Sequence, residues 1–256
     1  MAHLSIDLFS EALGMGQSVD VVLPQPTESQ VGVEAGARPG PPPVLYLLHG
    51  RSDDHTAWVR YTSIERYAAA AGIAVVMPAA ARSFYTDLPG QAWWTWVADE
   101  LPELVGRFLR VSDRPEETWV AGLSMGGYGA LKLALTHPER YAGAASLSGA
   151  LDVVALAQDE LRGPELRDLV FGGDPGPGHD LFRLLDDAAG RGRGVPPLHL
   201  SCGTGDGLLP GTECFAAAAV AHGVDVTLDL RPGEHEWGLW DSVVRDVIDW
   251  LPRPGG

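Results

Sequence analysis

The chain has 256 residues, of which 45% are hydrophobic and 20% charged, a composition typical of a globular protein that can bury a full core. Its 34 acidic and 18 basic residues leave a net charge of −16, and Lys132 is the only lysine. No basic patch favours nucleic acid, an acidic surface would be repelled by anionic membranes, and no apolar run reaches the roughly 18 residues that span a bilayer.

Cysteine content and the first residues bear on location and on metal binding. Cys202 and Cys214 are too few for a disulfide framework and lack a metal-like C-x-x-C spacing, so we expect both to be reduced. The first residues lack a basic region followed by an apolar core, which makes a cytoplasmic location the expectation.

Asp53, Asp54 and His55 are adjacent and cannot converge on one ion without strain, so we expect neither metal nor cofactor. The sequence leaves the oligomeric state open and allows a homo-oligomer.

Two strand-like segments open the chain, and strands then alternate with helices. The predicted strands are short runs rich in β-branched and apolar residues, over residues 3–9, 18–23, 44–48, 73–77, 118–121, 141–147, 198–202 and 224–230. The predicted helices are longer apolar-periodic stretches, over about 61–71, 94–110, 125–137, 212–221 and 239–251.

This alternation predicts an α/β fold with a mostly parallel central sheet of about eight strands, right-handed crossovers and helices on both faces. We expect one domain over residues 1–256. Residues 24–43 are rich in proline and glycine and predict a long surface loop. Residues 151–194 are polar, break the regular pattern, and predict a small cap or lid insertion.

A G-x-S-x-G motif, from Gly122 to Gly126, lies between the fifth predicted strand and the following helix. This strand, sharp turn and helix are typical of a nucleophile elbow, with Ser124 at its tip. The two glycines supply the clearance that a tight turn needs, and the helix that starts at Met125 directs free N–H groups and its positive dipole end toward an anion. Such a site suits acyl transfer through an oxyanion.

A serine hydroxyl needs a base, and the chain offers eight histidines. In enzymes built on such an elbow, the acid and then the histidine follow later strands. Asp206 directly follows one late strand and His235 follows the last, so we assign them as the acid and the base. The backbone N–H groups of Met125 and of Arg51, which follows the early strand at His49-Gly50, are assigned to the oxyanion hole.

The chain resembles the tributyrin esterase and esterase D group of α/β-hydrolases, which includes S-formylglutathione hydrolases and, more distantly, mycolyltransferases. The resemblance covers nearly the whole chain and rests on several motifs. They are Val19-Asp-Val-Val-Leu-Pro24, Tyr46-Leu-Leu-His-Gly50, Tyr85-Thr-Asp87, Ala121-Gly-Leu-Ser-Met-Gly-Gly-Tyr-Gly129, Ser148-Gly-Ala150, Gly205-Asp206 and His235-Glu-Trp237. Arg51 departs from this group, which often has a smaller or apolar residue at that position.

The resemblance implies an α/β-hydrolase fold and a serine carboxylesterase that favours short acyl chains, with Ser124, Asp206 and His235 as its triad. We assign Trp94, Trp237 and Tyr85 to substrate binding, with core packing as the alternative for each tryptophan. The expected partner is a small-molecule acyl ester. The same triad would also serve a hydrolase of S-formyl thiols, an esterase that removes acetyl or feruloyl groups from sugars, or an acyltransferase.

Overall fold

The computed structural model describes residues 1–29, 31–32, 35–159, 163–190 and 194–251. Within these ranges one sheet of eight strands has the order β1-β2-β4-β3-β5-β6-β7-β8. The strands are β1 (Ala2–Ser10), β2 (Met15–Leu23), β3 (Val44–Leu48), β4 (Ala74–Pro78), β5 (Thr118–Leu123), β6 (Gly143–Leu147), β7 (Leu198–Gly203) and β8 (Val226–Arg231). Strands β3 to β8 are parallel to one another, whereas β2 pairs antiparallel with both of its neighbours, β1 and β4. The predicted mostly parallel sheet is confirmed.

The helices follow the predicted alternation, with differences in detail. They are α1 (Ala57–Tyr61), α2 (Ile64–Ala71), α3 (Trp93–Thr95), α4 (Leu101–Phe108), α5 (Met125–Thr136), α6 (Val153–Gln158), α7 (Gly163–Glu165), α8 (Leu181–Ala189), α9 (Leu209–Ala221) and α10 (Trp237–Trp250). The helix predicted over 94–110 contains a π-helical segment, Trp96–Glu100, between α3 and α4. The helix predicted over 61–71 begins only at Ile64, because Tyr61 ends α1 and Thr62 is extended. The Ser63 N–H donates to the Asp241 carboxylate (2.8 Å).

Two apolar clusters cover the two faces of the sheet, as the period of two along each strand requires. In β3, Val44, Tyr46 and Leu48 pack with residues of α4, α5, α8 and α9, whereas Leu45 and Leu47 pack with residues of α1, α2 and α10. Every residue of β3 is buried. The chemically distinctive residues follow the ends of β3, β5, β7 and β8 in this sheet.

The two predicted irregular segments fall partly outside the described residues, namely at positions 30, 33, 34, 160–162 and 191–193. The described residues of 24–43 contain no helix or strand. The described residues of 151–194 contain α6, α7, a second π-helical segment (Leu166–Val170) and α8. The division into one domain with a cap insertion stays a prediction.

Candidate active site

Ser124 occupies a strained turn between β5 and α5. Its backbone has φ 53° and ψ −115°, a conformation that L-residues adopt only where the surrounding structure enforces it. A Cβ on Gly122 would lie 2.4 Å from the carbonyl of Gly126, and a Cβ on Gly126 would lie 2.4 Å from the Leu48 oxygen. Both motif glycines are therefore required for the close approach of the elbow to itself and to β3.

The segment after β6 holds Ser124 from both sides of its backbone. The Ser124 N–H donates to the Leu147 carbonyl (2.9 Å), and the Ala150 N–H donates to the Ser124 carbonyl (3.1 Å). Between these contacts Ser148 also has a positive φ, 46°, and its N–H donates to the Ser201 carbonyl on β7 (2.7 Å). Two neighbouring strands thus fix the turn that exposes the serine hydroxyl.

Ser124, His235 and Asp206 form a continuous hydrogen-bonded series. The Ser124 Oγ lies 3.0 Å from His235 Nε2, and His235 Nδ1 lies 2.8 Å from Asp206 Oδ2. Because an ionised carboxylate only accepts, Nδ1 carries the proton and Nε2 is left free to accept from the serine. The arrangement can deprotonate a serine hydroxyl as it attacks an electrophilic carbon.

Asp206 is shielded from solvent and fully engaged. Its side chain is only 1% exposed, and its second oxygen, Oδ1, accepts from the Leu208 N–H (2.9 Å). Burial acts to raise the pKa of Asp206, but the hydrogen bonds from His235 and Leu208 outweigh it and hold that pKa below its ordinary value. The carboxylate therefore stays ionised and keeps the imidazole oriented.

The loop after β3, residues 49–56, is called the oxyanion loop because it carries the predicted donor Arg51, and it orients the peptide between Gly50 and Arg51. The buried His49 Nδ1 donates to the Gly50 carbonyl (2.7 Å), which also accepts from the Asp53 N–H (3.1 Å). His49 Nε2 accepts from the Ala80 N–H (3.0 Å). In a trans peptide the N–H points opposite to the C=O, so fixing the Gly50 carbonyl also fixes the direction of the Arg51 N–H.

The two predicted oxyanion donors have no competing acceptor. Among the described residues, neither the Arg51 nor the Met125 backbone N–H donates a hydrogen bond. Met125 is the first residue of α5, where the helix dipole favours negative charge. Both N–H groups are thus available to an anion, and their assignment to the oxyanion hole stays a prediction.

The buried Lys132 contacts Tyr85, which in turn contacts the oxyanion loop. Lys132 Nζ donates to Thr86 Oγ1 (2.6 Å) and to the Tyr85 carbonyl (3.2 Å) and lies 4.4 Å from the centre of the Trp94 ring. Burial lowers the pKa of Lys132 to about 7. The Tyr85 hydroxyl in turn donates to the His49 carbonyl (2.9 Å), so Lys132 reaches the oxyanion loop through Tyr85.

A pocket of about 280 Å³ opens beside the serine. It contains the series Ser124, His235 and Asp206, and Arg51 stands on its wall. Its other lining residues, mostly apolar, are Phe84, Ala150, Leu156, Leu166, Gly207 and Leu208. Leu156 and Leu166 come from the predicted cap segment, which has no hydrophobic period that would have singled them out from the sequence.

The three aromatic residues predicted to bind substrate are not among the described residues that line this pocket. Tyr85 is fully buried under the oxyanion loop, as its bond to the His49 carbonyl requires. Trp94 covers the Lys132 ammonium group. Trp237 packs edge-on against Trp58, with ring centres 5.3 Å apart. Aromatic character alone did not distinguish packing from pocket lining.

Three further features concern metal ions, membranes and cysteines. In the described parts of the chain, His, Cys, Asp and Glu do not form a group of three suited to a metal ion. No described helix has the length and apolar content to cross a membrane. Cys202 is buried and Cys214 exposed, and neither forms a disulfide.

Comparisons with known proteins find relatives in sequence and in structure. Residues 10–245 match the Esterase family model, described as "Putative esterase". An acetyl esterase of Caldicellulosiruptor saccharolyticus is 25% identical over 99% of both chains. The structure of a Staphylococcus aureus fluorophosphonate-binding serine hydrolase superposes with a TM-score of 0.86 at 31% identity over 98% of both chains. An S-formylglutathione hydrolase of the same organism superposes at 0.83 with 29% identity, over 98% of this chain and 99% of its own.

Proposed function

Because this chain belongs to the Esterase family and is a serine esterase, we propose that it hydrolyses short-chain acyl esters through an acyl-enzyme on Ser124. The observation that carries the proposal is the hydrogen-bonded series from Ser124 Oγ through His235 to Asp206, at 3.0 and 2.8 Å.

Each residue has a distinct role in the proposed reaction. His235 takes the proton of Ser124 as its oxygen attacks the ester carbonyl, and then donates that proton to the leaving alcohol. The Arg51 and Met125 N–H groups stabilise the oxyanion of both tetrahedral intermediates. His235 then takes a proton from a water molecule as the water oxygen attacks the acyl carbonyl. It returns that proton to Ser124 Oγ as the bond between Oγ and the acyl carbon breaks, which releases the acid and restores Ser124.

The pocket size supports a short acyl group. Its volume, about 280 Å³, lies just below the roughly 300–1,000 Å³ of pockets that take drug-sized ligands. Phe84, Leu156 and Leu166 add apolar wall that suits a hydrocarbon chain. We propose that the described part of residues 151–194, which supplies Leu156 and Leu166, acts as a cap that limits chain length.

A series of p-nitrophenyl esters from acetate to laurate tests this function, with Ser124→Ala as the control. We expect kcat/KM to be highest for the short chains and to fall to background in Ser124→Ala. Equal rates for all chain lengths would contradict the short-chain preference, and undiminished hydrolysis by Ser124→Ala would contradict the acyl-enzyme.

A thioester is the second candidate substrate, favoured by the 29% identity to an S-formylglutathione hydrolase. The same nucleophile and oxyanion donors would act on an S-formyl thiol, with the thiolate as leaving group. Comparing kcat/KM for S-formyl and O-acyl substrates separates the two. Hydrolysis in the presence of an added acceptor alcohol, with product analysis, separates hydrolase from acyltransferase.

Location is a separate proposal. An exposed free thiol such as that of Cys214 suits a reducing compartment, which supports a cytoplasmic location. Cell fractionation tests it, and recovery in the membrane or extracellular fraction would contradict it.

A further inference from the structure

Arg51 lines the pocket and also carries a predicted oxyanion N–H. Its side chain is 43% exposed and can be reached from solvent. Nη1 donates to Glu165 Oε2 at 2.8 Å. An arginine has five N–H donors in a planar fork, so a single contact leaves most of its hydrogen-bonding capacity unused.

Glu165 carries one negative charge, and two arginines pair with it. The other oxygen of Glu165 accepts from Arg82, so two guanidinium groups share one carboxylate. In the part of the chain that the structure describes, neither arginine pairs with a second acid. Among the described residues, two guanidinium groups therefore share one carboxylate beside the pocket, in a protein whose net charge is −16.

Asp53 and Asp54, which follow Arg51 in the chain, interact with groups other than its guanidinium. The Asp54 carboxylate accepts from the backbone N–H and the hydroxyl of Thr56 (2.9 and 2.6 Å). Burial and the neighbouring Asp54 raise the pKa of Asp53, whose opposing interactions are with Arg60, Gly50 and His235 rather than with Arg51. Among the described residues, Glu165 is therefore the carboxylate that pairs with Arg51.

We propose that the Arg51 guanidinium is a specificity determinant that selects esters carrying a carboxylate, an inference that rests on the proposed esterase function. Glu165 shows that a carboxylate fits against this guanidinium, since it already occupies one of its donors. A planar fork suits a carboxylate, which it can bind through two parallel hydrogen bonds. Glu165 competes with the substrate for Arg51, so its charge opposes binding of the anion.

The alternative is that the Arg51–Glu165 contact has only a structural role. The Arg51–Glu165 pair connects the oxyanion loop to α7, next to Leu166 of the pocket wall. If the pair only held this segment in place, removing either partner would have the same effect. Selection of a carboxylate instead requires opposite effects, because one partner attracts the anion and the other repels it.

The test measures kcat/KM for anionic esters divided by kcat/KM for neutral esters of matched length, by proton release at constant pH. Monomethyl glutarate against methyl pentanoate places the carboxylate on the acyl side. Acetoxyacetate against propyl acetate places it on the alcohol side. The pair whose ratio depends on Arg51 identifies which side of the ester carries the recognised group.

In at least one pair we expect Arg51→Gln to lower the ratio up to about fivefold, a size typical of a partly exposed ion pair. Glu165→Gln should raise the same ratio about twofold, because it frees the guanidinium without removing it. Arg60→Gln removes an exposed arginine that pairs with Tyr61 and lies outside the pocket lining, and it should leave both ratios unchanged. Arg51→Lys keeps the charge but not the fork and should recover part of the loss.

The other outcomes would refute either carboxylate selection or the esterase function itself. Ratios that move in the same direction in Arg51→Gln and Glu165→Gln, or that do not move, would overturn carboxylate selection while neutral esters are still hydrolysed. Absence of hydrolysis of every ester by the wild-type protein would instead refute the proposed function. A thermal melt of each variant shows whether it is folded, and Arg51→Lys gives a second reading if Arg51→Gln does not fold.

Discussion

His49 allows the two supports of the oxyanion loop to be separated by substitution. Its Nδ1 donates to the Gly50 carbonyl (2.7 Å), and its Nε2 accepts from the Ala80 N–H (3.0 Å). An asparagine can place a donor where Nδ1 lies, and a glutamine can place an acceptor where Nε2 lies. His49→Asn therefore keeps the contact to Gly50, and His49→Gln keeps the contact to Ala80.

His49→Gln should lose mainly activity, whereas His49→Asn should lose mainly stability. Loss of one oxyanion donor costs about 10²–10³ in turnover. The Gly50 carbonyl still accepts from the Asp53 N–H (3.1 Å), so His49→Gln should misdirect the Arg51 N–H only partly and lower kcat about tenfold. His49→Asn leaves the Ala80 N–H unpaired in the core, which should lower the free energy of unfolding by about 1–3 kcal/mol with little change in kcat.

The assay combines kcat for p-nitrophenyl acetate, with active sites titrated, and urea unfolding of both variants. The predicted pattern is a larger loss of kcat in His49→Gln and a larger loss of stability in His49→Asn. The reverse pattern, or equal losses of kcat in the two variants, would refute the claim that His49 acts by orienting the Gly50–Arg51 peptide.

Three other predictions follow from the same geometry. Gly126→Ala places a Cβ 2.4 Å from the Leu48 oxygen and should cost about 1–3 kcal/mol of stability and most of the activity. The control Gly106→Ala, in open space on α4, should gain about 0.5–1 kcal/mol of stability at unchanged activity. Thermal melts and kcat check both variants. Asp206→Asn should lower kcat about 10³–10⁴-fold with a little-changed melting temperature, because an amide that donates to Nδ1 reverses the tautomer; a loss below tenfold would contradict this role. Burial lowers the pKa of His49 to about 4 from 6.5, so between these values the unfolded chain takes up a proton that the folded chain does not. Stability should therefore fall by about 2 kcal/mol from pH 7 to pH 5 on this account alone, and His49→Asn, compared by urea unfolding at both pH values, should lose that part of the slope.

The sheet was predictable because its strands are short apolar runs separated by clear helices. Val44–Leu48 is buried on both faces and was bounded correctly from its sequence alone. The nucleophile elbow is equally local, since the serine and both of its glycines lie within five residues. The chain order of Asp206 and His235 after late strands then places them at the same edge of the sheet as Ser124.

The pocket wall was not predictable in the same way. Leu156 and Leu166 come from α6 and a short π-helical segment, and their place on the pocket wall depends on how these short pieces pack in three dimensions. Tyr85 was assigned to the substrate because it is aromatic and belongs to a family motif. Its hydroxyl instead donates to the His49 carbonyl, a contact between residues 36 apart that no local pattern encodes.

The central claim is that Ser124 is the nucleophile that forms the acyl-enzyme, and covalent labelling tests it most directly. The protein is treated with a fluorophosphonate, the modified peptide is located by mass spectrometry, and the remaining esterase activity is followed over the same time course. We predict one adduct per chain, on Ser124, formed at the rate at which activity is lost, and absent from Ser124→Ala. An adduct on another residue, or full activity in a chain fully labelled at Ser124, would contradict the account.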